Sequence, residues 1–268
     1  MSPAGRPPVA VTTDGPVMTI VIDRPDSLNT IDQATAEALA EAMARLDGDP
    51  GIRAAVLTGA GRVFCAGLDL AAVRAAGGLD DPAAALGEVA HVPEGGFAGI
   101  TRRPPEKPLI AAVEGAAVAG GLEIALSCDL IVAGESARFG ITEVKVGLIA
   151  GAGGLLRLAR RLPRNVAMEM ALTGALIPAE RAHRLGLVND LTADGSALER
   201  ARELAAAIAA NSPVAVAASK RLLGQAAGWA EEEGWRRQQP VLDRVFASAD
   251  ATEGIAAFLE KREPRWEG

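Results

Sequence analysis

The sequence predicts an α/β fold, and three observations carry that prediction. Strand-like and helix-like segments alternate in a recurring β-β-α or β-turn-α order. Apolar residues reach 49%, with 30 glycines in 268 residues, as in a soluble globular protein with a substantial core. The end of the chain is Ala-rich and poor in strand signals. The expected division is a core over 1–205 and a helical region over 206–268.

The first strands are VAVTTDG and PVMTIVIDRP, the second alternating until the turn signal Arg24–Pro25–Asp26–Ser27. QATAEALAEAMARL is helical, with Asp32 as N-cap and Gly48 as stop. AAVLTGAG is a short strand, and RVFCAGLDL leads into a helix that Asp69 caps. From Gly77 to Glu106 the chain has paired glycines, prolines and few large apolar residues, which reads as a loop or weakly helical cover over a site. KPLIAAVEG is then a buried strand, GGLEIALSC a helix, DLIVAGES a strand and ARFGITEVKVG a short, extended, hairpin-like piece. GLLRLARRLPRNVAMEMALTG is helical with an interruption near Pro163. SALERARELAAAIAAN and the amphipathic segments beyond Ser212 are helices. The recurring units without Rossmann spacing suggest a superhelical core.

A net charge of −7 leaves no basic footprint for nucleic acid. Cys65 and Cys128 lie in apolar runs and read as buried small hydrophobes in a reducing compartment. MSPAGRPPVAVTTDG has no apolar signal region, and no stretch reaches the roughly 20 apolar residues of a membrane span. A cytoplasmic protein with no membrane partner is expected. With only His91 and His183, no metal site is expected, and the absence of Tyr removes one class of acid and oxyanion donor.

The chemistry concentrates between Leu109 and Gly154. Gly120 and Gly121 stand at a helix start just ahead of Glu123, and Glu143 follows among apolar residues. First-turn N–H groups lack intrahelical partners, and glycine lets a ligand come close to them. The alternative is that the pair serves tight helix–strand packing. AGLD at Ala66–Asp69 offers a second donor turn, so two N–H groups can converge on one carbonyl oxygen. Phosphate-loop chemistry fails because Gly121–Leu122 stands where Lys–Ser/Thr is needed, and GAGG at Gly151–Gly154 lacks a dinucleotide-binding context. No G-x-S-x-G elbow is present.

FCAGLDL, VAGGLEIALSCDLIVA, FGITEVKVGL, GAGGLLRL, LTG…IPAERAHRLGLVN and FLEKREPRW resemble the enoyl-CoA hydratase/isomerase (crotonase) superfamily from about Val9 to Trp266. The resemblance implies a spiral of ββα units with a C-terminal helical trimerisation region, assembled as a homotrimer or dimer of trimers. It implies catalytic Glu123 and Glu143 and an oxyanion hole from the Leu68 and Gly120 N–H groups. It places coenzyme A along Asp26–Thr30 and Ala66–Leu70, with Ser27, Leu28, Ala66, Gly67, Asp69, Leu70, Val118, Gly121 and Lys261 as substrate-binding residues and Arg262 near the phosphates. Ala119 and Ala150 depart from the superfamily, where many members have glycine and proline.

The expected reaction is reversible syn addition of water to a trans-2-enoyl-CoA, giving 3-hydroxyacyl-CoA in fatty-acid or related metabolism. Two carboxylates in an apolar pocket repel, so one can keep a proton near neutral pH. Glu123 is then the base toward water and Glu143 the acid toward Cα. No cofactor is expected, since coenzyme A belongs to the acyl-CoA substrate. The alternatives are a Δ3–Δ2 enoyl-CoA isomerase, a carnitinyl-CoA dehydratase-like enzyme, and an acyl-CoA-binding protein with little turnover.

Overall fold

The computed structural model describes residues 7–78 and 80–268. Residues 1–6, where the stretch read as lacking a signal begins, and Leu79 of the expected cover lie outside the described residues. An antiparallel pair, β1 (Val9–Asp14) and β2 (Val17–Ile22), opens the chain, followed by α1 (Gln33–Gly48) and β3 (Ala54–Gly59). Asp32 caps α1 by accepting the Thr35 N–H at 2.9 Å, a bond generally worth about 1 kcal/mol.

Next come α2 (Leu70–Ala75), α3 (Pro82–Glu88) and a small hairpin of β4 (His91–Val92) and β5 (Gly96–Phe97). The expected cover is therefore part helix and part hairpin. It is seated on α1, because Gly99 (φ +68°) approaches so closely that a Cβ there would stand 2.6 Å from Ala40 Cβ.

The catalytic candidates follow in β6 (Leu109–Val113), β7 (Ala116–Val118), α4 (Gly120–Ser127), β8 (Leu130–Gly134) and β9 (Arg138–Gly140). The expected hairpin at ARFGITEVKVG does not form. β9 pairs with β7 and, later, with β10 (Ile177–Pro178), while Glu143–Val146 is a 3-10 turn ended by Gly147 at φ +75°. Between these lie α5 (Gly154–Arg161) and α6 (Arg164–Thr173), separated at Pro163 as expected. The chain closes with α7 (Ala179–Arg184), β11 (Asp190–Thr192), α8 (Ala197–Ala209), α9 (Pro213–Ala226), α10 (Glu231–Phe246) and α11 (Ala249–Glu260).

The main sheet has six strands in the order β1-β2-β3-β6-β8-β11, parallel from β2 onward, and a second sheet runs β10-β9-β7. The inner strands of the main sheet, β2, β3, β6 and β8, read as nearly unbroken apolar runs because both faces are covered. Ile20, Leu57, Ala111 and Ile131 stand in one row across four strands and face the main core. Val56, Ile110 and Val132 face the other way, against Ala197, Ala201, Ala205 and Ala209 of α8. That four-residue spacing puts all four alanines on one helix face. The division drawn at 205/206 thus falls inside a helix that belongs to the sheet. The helical appendage starts with α9, whose cap is Ser212.

Candidate active site

Two glycine turns meet at the wall of one cavity. Gly67 has φ +96°, and a Cβ on it would stand 3.0 Å from the Gly120 nitrogen. Bonds from the Ile31 N–H to Gly67 O (2.8 Å) and from the Asp69 N–H to Ile31 O (2.9 Å) flank Leu68 and fix its turn. The Leu68 and Gly120 N–H groups meet no acceptor among the described residues. They lie in the lining of a cavity of about 700 Å³, which also includes Ala66, Leu70, Phe97, Glu123 and Glu143.

The glycine pair turns out to serve packing. A Cβ on Gly121 would stand 2.0 Å from the Cys65 carbonyl oxygen, and one on Gly120 would stand 2.7 Å from Cε1 of the Phe97 ring. Gly121 thus serves packing against backbone, while Gly120 itself lines the cavity and offers its N–H there. Ala119, the N-cap of α4, sits at φ +51°, ψ −130°, a conformation costing of order 1–3 kcal/mol for a residue with a Cβ. Its N–H donates to Gly140 O (2.9 Å) and its carbonyl accepts the Leu122 (2.9 Å) and Glu123 (3.2 Å) N–H groups, which hold it there.

Glu123 is on α4, all of whose residues are buried, and is itself 3% exposed. Its Oε1 accepts the N–H groups of Ala152 and Gly154, each at 2.8 Å. These donors belong to the start of α5, whose positive end favours an anion. Burial nevertheless pushes the Glu123 carboxyl up to about 7; the Gly154 N–H opposes the shift, the Glu143 carboxylate adds to it, and the Ala152 N–H and Arg157 oppose it further. Glu143 opens the 3-10 turn and is half-buried. Its pKa is also raised by burial, against its own N–H and that of Thr142, and its Oε2 is buried with no hydrogen-bond partner. The two carboxyls thus line one cavity and disfavour each other's charge.

Only some of the residues expected at coenzyme A stand in the cavity lining. Ala66 and Leu70 line the cavity. Leu28, which is exposed, adjoins it through the Ala66 N–H, which donates to Leu28 O at 3.1 Å, while the Ser27 hydroxyl donates to Arg24 O at 3.2 Å and lies outside the lining. Gly67, Val118 and Gly121 form the backing, with the Val118 N–H bonded to Cys65 O (3.2 Å). Asp69 is occupied otherwise: its Oδ1 caps α2 and its Oδ2 pairs with Arg24 at 2.9 Å. Burial would raise its pKa, but Arg24 and the Ala72 and Ala71 N–H groups hold it below the usual range. Lys261 ends α11 in an exposed, left-handed position outside the cavity lining, and Arg262 is bonded to Glu253 and Glu260.

Several members of the site carried no readable signal. Ala152 and Gly154 act through backbone N–H groups that any residue but proline supplies. Phe97 fills the space over Gly120 from the cover. Arg157 bonds through its Nη atoms to Ala152 O (3.2 Å) and Thr101 O (2.5 Å), bracing the clamp around Glu123. Cys65 and Cys128 are free and fully buried, and burial pushes both thiols up to about 12. No helix among the described residues is long and apolar enough to cross a membrane.

The family model described as enoyl-CoA hydratase/isomerase matches residues 12–268. A carnitinyl-CoA dehydratase of Proteus mirabilis is 41% identical over 264 residues, covering 96% of this chain and 97% of that protein. An enoyl-CoA hydratase of Mycobacterium tuberculosis is 40% identical over 261 residues, covering 97% of each. Among solved structures, an enoyl-CoA hydratase from Mycobacterium marinum superposes with a TM-score of 0.91 at 49% identity, covering 98% of this chain and 100% of that one. A carnitinyl-CoA hydratase from Mycobacterium avium superposes with a TM-score of 0.76 at 43% identity, covering 98% and 99%.

Proposed function

The chain belongs to the enoyl-CoA hydratase/isomerase family and has its fold, and on that premise we propose that it is a hydro-lyase adding water reversibly to a trans-2-enoyl-CoA. The observation carrying this reading is the pairing, in one cavity, of two mutually repelling carboxyls with two acceptor-free N–H groups.

The thioester oxygen accepts from the Leu68 and Gly120 N–H groups, which stabilise the enolate as charge moves onto that oxygen; each such donor is typically worth about 3 kcal/mol. Glu123 takes a proton from water as the water oxygen bonds to Cβ, and Glu143 delivers its proton to Cα. The product is the 3-hydroxyacyl-CoA, and exchange of one proton between the carboxyls or with solvent restores the starting state. Rigid support of Glu123 by two N–H groups suits it to positioning the water. Burial raises both carboxyls, Glu123 to about 7, so the pair carries one proton near neutral pH, and hydration starts from the state in which that proton is on Glu143 and Glu123 is ionised.

No metal or redox group is invoked in this chemistry. Fatty-acid or related acyl-CoA metabolism in the cytoplasm is the proposed setting. The proposed assembly is a trimer or dimer of trimers: Trp235, Phe246, Phe258 and Leu259 of α10 and α11 are 65–83% exposed and need cover. Light scattering of the purified chain reads that assembly directly.

A second reading, dehydration of a carnitinyl-CoA, is favoured by the name of the Proteus relative and uses the same chemistry in reverse. The test is turnover of crotonyl-CoA and of carnitinyl-CoA in ¹⁸O-labelled water. Label in a 3-hydroxyacyl product supports hydration. Deuterium entry at Cα in heavy water without net water addition would point to isomerisation instead. Micromolar binding with no turnover of any enoyl thioester would leave only the acyl-CoA-binding alternative.

A further inference from the structure

Beside the catalytic cavity lies a second one, of about 870 Å³, whose wall shares Gly87, His91, Phe97, Gly151 and Ala152 with the first. Leu68 and Leu70 line only the first, so the second lies on the side away from the turn expected to meet coenzyme A. The β4–β5 hairpin contributes His91 and Phe97 to both cavities, so an acyl chain held between Glu123 and Glu143 would enter the second by passing that hairpin.

The walls of this outer chamber carry more positive charge than an alkyl tail requires. Arg102, Arg157 and Arg160 all line it, against a single carboxylate, Glu88. Arg157 is held by the carbonyls of Thr101 and Ala152. Arg102 and Arg160 are exposed, and neither is ion-paired among the described residues, although Arg103 beside Arg102 pairs with Glu94. Two guanidinium groups with unused donors at the end of an acyl path form a receptor for a planar anion. An ordinary fatty tail gains nothing from them.

We propose that the substrate is an enoyl thioester whose far end bears a carboxylate, which Arg102 and Arg160 bind in the outer chamber. This rests on the functional reading above insofar as the acyl group occupies the catalytic cavity. The same charges disfavour a quaternary ammonium tail, so the carnitinyl reading and this one make opposite demands on the chamber.

Calorimetric binding of saturated thioesters tests the idea without relying on hydration. Hexanoyl-, heptanoyl- and octanoyl-CoA are compared with adipoyl-, pimeloyl- and suberoyl-CoA, with free coenzyme A and carnitinyl-CoA as further arms. At least one ω-carboxylate is expected to bind about tenfold more tightly than its methyl-ended partner, about 1.4 kcal/mol. Arg102→Gln with Arg160→Gln should erase that ratio, and Arg102→Lys with Arg160→Lys should keep part of it; both variants carry surface changes, and thermal melts confirm folding. Equal binding within every pair overturns the proposal. So does an equal loss of free coenzyme A binding in the double glutamine variant, which would assign the arginines to coenzyme A phosphates. Tighter binding of carnitinyl-CoA than of any ω-carboxylate also overturns it. Failure of every enoyl thioester to hydrate, ω-carboxylated ones included, while the binding ratio holds, would by contrast count against the functional reading alone.

Discussion

Glu123 and Glu143 face one cavity from opposite kinds of structure. Glu123 sits inside a fully buried helix, and two N–H groups from another helix start hold one of its oxygens. Glu143 opens a 3-10 turn whose next residues are exposed, and leaves one buried oxygen without a partner. One carboxylate is immobilised by the core, while the other rides on a turn that solvent reaches. The difference teaches how a single pocket can separate two proton-transfer tasks: rigidity suits the group that aims a water, and an unsatisfied oxygen suits the group that hands over a proton.

Removing the rigid member should have the largest effect. Glu123→Gln preserves an oxygen for the Ala152 and Gly154 N–H groups but cannot take a proton, so kcat for crotonyl-CoA hydration should fall by about 10³-fold or more. Hydration within tenfold of the parent would break the comparison. Glu143→Gln should cost somewhat less, about 10²-fold to 10³-fold, because solvent near the turn can supply a proton in part. Steady-state kinetics of the two variants side by side give the ranking.

The third prediction concerns stability. Glu123 titrates at about 7 in the folded chain against an ordinary 4.5. Below 4.5 both folded and unfolded forms hold the proton, and the group leaves stability unchanged. Between 4.5 and 7 the unfolded chain loses its proton first, so the folded state binds more protons and stability falls as pH rises. Above 7 the full cost of about 3 kcal/mol applies. Glu123→Gln should therefore melt higher than the parent at pH 8 and match it at pH 4. Denaturant titrations at the two pH values check this, and an unchanged difference would mean the carboxyl is not held neutral by its surroundings. Glu143→Gln should shift the curve less, since its side chain is only half-buried.

The smallest effect is expected from loosening the clamp without touching either acid. A Cβ on Gly154 would stand 2.8 Å from Glu123 Cγ and 3.0 Å from its Oε1. Gly154→Ala should push the carboxylate off its two donors and lower kcat about tenfold, with KM little changed. A change in KM alone would mean that the clamp shapes binding and not proton transfer.

Much of this arrangement was legible in the sequence because it is local. Asp32 and Asp69 announce the helices they cap within three residues, and Gly120–Gly121 announce a helix start. The α/β order and the family resemblance could be read in the same way. The partner of GAGG could not: its N–H groups act on a side chain about 30 residues earlier, and a backbone donor has no residue type to betray it. The turn at Glu143 was misread as extended because alternating Val144 and Val146 imitate a strand, although both are exposed. Asp69 carried two readings, cap and ligand, and the Arg24 pair that occupies it joins positions 45 residues apart.

The hairpin of β4 and β5 has only two residues in each strand and belongs to neither main sheet. Gly67, Gly121 and Gly154, in contrast, are locked to backbone or to Glu123 at distances that admit no added atom without movement. For anyone redesigning this enzyme, the molecule is thus divided into a part to randomise and a part to freeze. A library confined to the solvent-facing positions 91–94 and 102–103, leaving the buried run 95–101 intact, would explore new acyl groups at little risk to folding, and the same asymmetry gives evolution an inexpensive route to new specificities on an unaltered frame.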